Sequence, residues 1–90
     1  MSSKRVYATR TPFRKIIATT PVLIVSDNSR WAVMMLNEGP ADVYIGSSGL
    51  TTANGMLLAN AKSFVDDVSK DNWWAVAASS SGTLSGFELV

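Results

Sequence analysis

Carboxylates are the main groups with which this chain could do acid–base or metal chemistry. There are seven: Asp27, Glu38, Asp42, Asp66, Asp67, Asp71 and Glu88. The chain contains neither histidine nor cysteine. Without histidine there is no imidazole general base and no Ser-His-Asp or Cys-His arrangement. The same absences remove disulfides and the commonest ligands of zinc and other transition metals. Asp66-Asp67 with Asp71 is the single acidic cluster. Carboxylate oxygens suit hard cations such as Ca²⁺, but the cluster lacks the spacing and the downstream glutamate of an EF-hand loop. The plainer expectation is a solvated turn in which Asp71 or Asn72 bonds local backbone. No catalytic, cofactor-binding or metal-binding residues are expected, and an enzyme is not.

Two other features suggest binding chemistry. Gly46-Ser47-Ser48-Gly49 has the small residues of a phosphate loop. It lacks the Lys-Ser/Thr ending and a following helix, so it reads as a turn. Trp31, Trp73 and Trp74 offer flat faces on which sugars or bases can stack. Asp71 and Asn72 beside Trp73 argue against bases, because nucleic-acid platforms interleave aromatics with Lys and Arg. A net charge of +1 likewise argues against a generally basic nucleic-acid surface. A sugar site stays open beside the plainer reading of core and interface packing.

The elements that must position these residues are β-strands. Pro21 to Val25, Trp31 to Leu36, Asp42 to Ile45, Met56 to Leu58, Lys62 to Val65, Trp73 to Ala78 and Thr83 to Val90 are short runs rich in β-branched and aromatic residues, separated by Gly, Pro, Asn, Asp and Ser. Seven or eight strands at this spacing predict an all-β fold, a small antiparallel sandwich or barrel. Asn54-Gly55 reads as a two-residue hairpin turn. Only Asn60 to Val68 offers a candidate helical turn. Residues 1–20 stand apart: Lys4, Arg5, Arg10, Arg14 and Lys15 are five of the eight basic residues. No acid is present there, and Pro12 opposes a helix. The expected organisation is therefore an extended basic arm over 1–20, with one short strand near Arg14 to Ala18, and a sandwich over 21–90. No signal-length apolar run follows Lys4 and Arg5, and no segment is long enough to span a membrane, so synthesis in the cytoplasm is expected.

Strand periodicity then assigns faces. Val43 and Ile45 point inward and Tyr44 outward. Val33 and Met35 point inward, which turns Met34 and Leu36 away from the core. Trp74, Val76 and Ala78 share the inner face, which puts Trp73 outside. Charged residues are only 17% of the chain, below the ~25% of an average soluble domain. A domain of this size buries only about 60–65% of its unfolded surface. With no disulfide available, association is the remaining route to extra stability. Met34, Leu36, Tyr44 and Trp73 are the expected oligomer interface; scattered exposed apolar residues are the ordinary alternative.

One string of residues carries a family resemblance: Asn37 and Gly39, then Ala41 to Gly46, Ser48 to Gly55, Asp71 with Trp74 to Ala77, and Ser81 to Thr83. It resembles a group of small β-sandwich virion proteins of tailed bacteriophages and prophages. Between Leu58 and Phe64 that group tends to carry Pro-Gly where this chain has Ala59-Asn60-Ala61-Lys62, leaving the turn type there open. The resemblance implies a structural protein without enzymatic activity. The implied type is a capsid decoration (cement) protein on the outer surface of the major capsid shell, or alternatively a tail or head-fibre module that binds a host glycan. It also implies homo-oligomers, trimers or dimers, with an arm reaching along a neighbour. Arg5, Tyr7, Arg10, Phe13 and Arg14 would then contact the major capsid protein. The expected partners are that protein and further copies of the chain, not a membrane or nucleic acid, and no cofactor. The expected location is the virion surface.

Overall fold

Proline, glycine and Asx punctuation cuts the chain into short extended segments, and each segment finds its partner far along the sequence. The computed structural model describes residues 10–26, 30–68 and 71–90. In these stretches lie eight strands: β1 (Arg10–Ile17), β2 (Val22–Val25), β3 (Ala32–Pro40), β4 (Val43–Gly46), β5 (Met56–Leu58), β6 (Ser63–Asp66), β7 (Trp73–Ala77) and β8 (Gly82–Leu89). They form two antiparallel four-stranded sheets, ordered β1-β8-β3-β6 and β2-β7-β4-β5. β1 pairs with β8, β2 with β7, β3 with β6 and β4 with β5. That nesting is one long hairpin folded over itself, the jelly-roll form of a sandwich. The all-β expectation holds. Asn60 to Val68 contains β6 rather than a helical turn, and no described helix is long and apolar enough to cross a membrane.

The core lies between the sheets. Ile17, Val33, Met35 and Leu84 from the first sheet meet Val43, Ile45, Leu58, Ala75 and Ala77 from the second. Burying each large aliphatic side chain contributes about 1.5–3 kcal/mol, and these are almost wholly buried. Val33, Met35, Val43 and Ile45 face inward as periodicity required.

Three expectations are corrected. Residues 10–17 are not a free arm. β1 pairs with β8 over eight consecutive residue pairs, Ile17 is fully buried, and Phe13 packs on the core. The sheet therefore begins at Arg10 and not after residue 20. The chain doubles back through Ala18 to Pro21, so both halves of the turn are held by the sandwich, and the Ala77 amide donates to Ala18 O at 2.7 Å.

The tryptophan strand has the opposite phase. Ala75 and Ala77 belong to the core and Trp73 packs against it, so Trp74 and Val76 occupy the outer side. Two alternating apolar faces gave periodicity nothing to choose between.

Asn54-Gly55 does not form a two-residue turn. A longer loop, Ser47 to Gly55, joins β4 to β5. In it Asn54 Oδ1 accepts from Thr51 N at 2.8 Å, and Asn54 Nδ2 donates to Gly49 O at 3.3 Å. Gly55 is needed for space, since a Cβ there would strike the Leu50 and Tyr44 side chains.

The Asn37-x-Gly39-Pro40 string bends β3 toward the second sheet. Gly39 has φ of 79° and precedes a cis proline. A Cβ at Gly39 would also collide with the Asn60 side chain. Asn37 is fully buried yet fully used. Its Nδ2 donates to Ala41 O and Leu58 O, both at 2.9 Å, and its Oδ1 accepts from Gly39 N at 2.8 Å. One amide thus ties β3 to the start of β4 and the end of β5. Asp42 adds a second tie, its Oδ1 accepting from Asn60 N at 2.9 Å.

Candidate functional site

Register decides which residues stand together on the outer face of the first sheet. Pro12 lies opposite Phe87, Phe87 opposite Met34, and Met34 opposite Val65. These four form an apolar row that crosses all four strands. The next row along the strands is Arg14, Ser85, Leu36 and Ser63, and the row on the other side is Arg10, Leu89 and Ala32. An antiparallel sheet with one solvated side ordinarily places polar residues there. Here Val65 is 57% exposed, Ile16 75% and Leu36 38%. Met34, Phe87 and Leu89 on the same face are part-buried.

The charges on the face are largely spent on one another. Arg14 makes a bidentate contact with Glu38, Nε to Oε2 at 3.2 Å and Nη2 to Oε1 at 2.9 Å. The pair reaches from β1 to β3 over the top of β8. The Ser85 hydroxyl, with Arg14 second, holds the Glu38 carboxyl below the usual glutamate pKa. Arg10 places its guanidinium carbon 5.9 Å from the Phe87 ring centre, a cation–π distance. A shallow hollow of about 590 Å³ opens beside the row, bordered by Pro12, Phe13, Arg14, Ser85 and Gly86.

The expected site residues divide among several places. Arg10 and Arg14 share the outer face with Met34 and Leu36, so two of the five expected arm contacts and two of the four expected interface residues are on one surface. Phe13 points into the core instead, because it stands directly opposite Gly86 on the inner side. Arg5 and Tyr7 lie outside the described residues. Tyr44 is half-buried on the outer side of the second sheet, opposite Val76 and Leu57.

Trp73 is part-buried and packs against the core. Its ring meets Phe64 edge to face with centroids 5.1 Å apart, and its indole N–H donates to Asp66 Oδ2 at 2.9 Å. Sequence reasoning missed the row residues Pro12, Phe87 and Val65. The alternation of Phe87 and Leu89 with Gly86 and Glu88 was visible, but nothing local said which of these faced water.

The acidic cluster also resolves into separate roles. Asp66 is buried, not solvated as expected. It forms an ion pair with the fully buried Arg30 at 3.7 Å, and its Oδ1 accepts from Val68 N at 3.1 Å. Arg30 also donates to the Asp71 backbone carbonyl. Asp67 and Asp71 are exposed. Among the described residues no three His, Cys, Asp or Glu side chains are grouped to hold a metal. A cleft of about 250 Å³ between Gly46, Ser47, Asp71, Asn72 and Trp73 is where the sugar reading falls. The exposed Trp31 sits at the start of β3.

The second sheet's outer side is apolar too, with Leu23, Trp74, Val76, Tyr44 and Leu57 in register. There the chain supplies part of its own cover. Val76 is 3% exposed, and Leu50 is buried close to Gly46 and Gly55. Family models, curated proteins and solved structures gave no match to the chain.

Proposed function

We propose that the protein is a non-enzymatic structural component of a tailed-bacteriophage particle, a decoration protein that binds the outer surface of the major capsid shell as an oligomer and stabilises it. The observation that carries the reading is the apolar row Pro12, Phe87, Met34 and Val65 on the outer face of the first sheet, where Pro12 and Val65 are exposed and Phe87 and Met34 partly so. A small domain without histidine or cysteine and with apolar residues outside both sheets suits a life between protein neighbours. The jelly roll is a fold that viral capsid and lectin domains use, an analogy that raises the reading without assigning it. The resembling string supports it in a limited way, since Asn37, Gly39, Asp42 and Asn54 all act in turns of the scaffold. Repeated copies on a shell would gain retention from many modest contacts.

The test is incubation of the purified chain with capsid shells lacking it, read by co-sedimentation and by shell resistance to heat. Saturable binding with stabilised shells is expected; absence of both overturns the reading. Truncation through Lys15 is unsuitable, because it removes most of β1. Double substitution of Arg10 and Arg14 to Ser probes the basic contact instead. The second reading, a fibre module for a host glycan, draws on the cleft beside Trp73. Glycan-array binding lost in Asp71→Ala, with no affinity for shells, would favour it.

A further inference from the structure

We infer that the outer face of β1-β8-β3-β6 pairs with the same face of a second copy of this chain, forming a two-fold dimer. The inference deepens the shell reading by naming what covers this surface, and it rests on that reading for its setting.

The first ground is area. Strand spacing of about 4.8 Å and a rise of about 3.4 Å per residue make three long strands and one short one into a patch of roughly 450 Å² in projection. Projecting side chains carry its accessible area toward the ~600–1,000 Å² that each partner contributes to a standard interface. The second sheet has strands of only three to five residues and already carries Leu50.

The second ground is charge. An isologous contact sets a patch against its own copy, so a face of strong net charge would repel itself. This one closes Arg14 on Glu38 within the same copy and lays Arg10 toward Phe87.

The third ground is shape. Phe87 and Met34 stand side by side in register, and the hollow bordered by Pro12, Phe13, Arg14, Ser85 and Gly86 adjoins them. A two-fold operation can set the apolar row of each copy against the hollow of the other. Sheets stacked this way lie about 10 Å apart with their strands roughly 30° from parallel.

Edge-to-edge pairing through β1 fits less well. That edge carries Arg10, Pro12, Arg14 and Lys15, the residue types that block strand addition.

The experiment is sedimentation equilibrium of the full chain from micromolar to submillimolar concentration. A reversible dimer is expected. Val65→Glu, an exposed change on the edge strand of this face, should raise the dissociation constant by roughly a hundredfold or more, since it would leave a carboxylate unpaired in the contact. Met34→Glu should do the same, and Leu57→Glu on the opposite outer face should not. Near-ultraviolet circular dichroism checks that each variant keeps its packing. A wild-type chain that stays monomeric overturns the pairing, as does a dimer dissolved by Leu57→Glu and unaffected by Val65→Glu. Shell attachment is a separate readout. A monomer that still coats shells, and loses them on Val65→Glu, overturns the pairing and gives the face to the shell protein. A dimer that coats nothing leaves the pairing standing and removes the shell reading.

Discussion

Asp66 holds Trp73 inside the sandwich: the carboxylate accepts the indole N–H at 2.9 Å while Arg30 stands 3.7 Å away on the same oxygen. The ring can therefore bury its apolar body against Phe64 and the core without orphaning its one donor. Removing Asp66 takes the carboxylate from beside a buried guanidinium and the acceptor from the indole N–H. Asp66→Ala is expected to cost about 3–5 kcal/mol, a large share of the ~5–15 kcal/mol available to a domain. The paired change Asp66→Leu with Arg30→Met should recover a large part of that loss. Urea denaturation of the three variants measures it, and a double variant no better than Asp66→Ala would contradict the account.

Asn37 does comparable work between the sheets. Asn37→Ala leaves the Ala41 and Leu58 carbonyls and the Gly39 amide without their partner in a site closed to water. At about 1–3 kcal/mol for each unsatisfied group, the expected loss is at least about 3 kcal/mol. Hydrogen exchange should show the β3–β4 bend and the end of β5 opening first in such a variant.

Ala61 occupies the left-handed region with φ of 70°. A Cβ in that region costs about 1–2 kcal/mol, and glycine removes the cost while loosening the unfolded chain. Ala61→Gly should therefore stabilise the fold by roughly 0.5–1 kcal/mol. A lower denaturation midpoint in Ala61→Gly would count against the turn described here. This is the stretch where the resembling sequences tend to carry Pro-Gly.

Glu38 makes stability depend on acid. Its pKa is lowered in the fold by the Ser85 hydroxyl and by Arg14. A lowered carboxylate pKa adds stability that is fully present above the unfolded value, near 4.3, and fades as pH falls through the folded value. Wild type should exceed Glu38→Gln in melting temperature at neutral pH. The gap should hold down to about pH 5 and close in more acid solution. Salt should narrow it at neutral pH, because the pair lies at the surface. A gap that stays constant into strong acid would assign Glu38 no such role.

The amino-acid sequence alone determined what depends on neighbouring residues. Turn-forming residues at close intervals dictated short strands. The alternation in Val43-Tyr44-Ile45 and Val33-Met34-Met35 named their inner faces, because on each strand one parity was the better core. The absence of His and Cys closed off whole classes of chemistry. Tertiary structure decided what local order leaves degenerate. In β7 both parities are apolar, and only the partner Asp66 and the fit against Phe64 put Trp73 inside. Arg10–Ile17 looked like a basic arm because its partner strand, β8, comes some seventy residues later, and pairing at that separation leaves no mark on nearby residues. The row Pro12, Phe87, Met34 and Val65 exists only once four distant strands align, since register is set by the whole fold and not by any one strand within it.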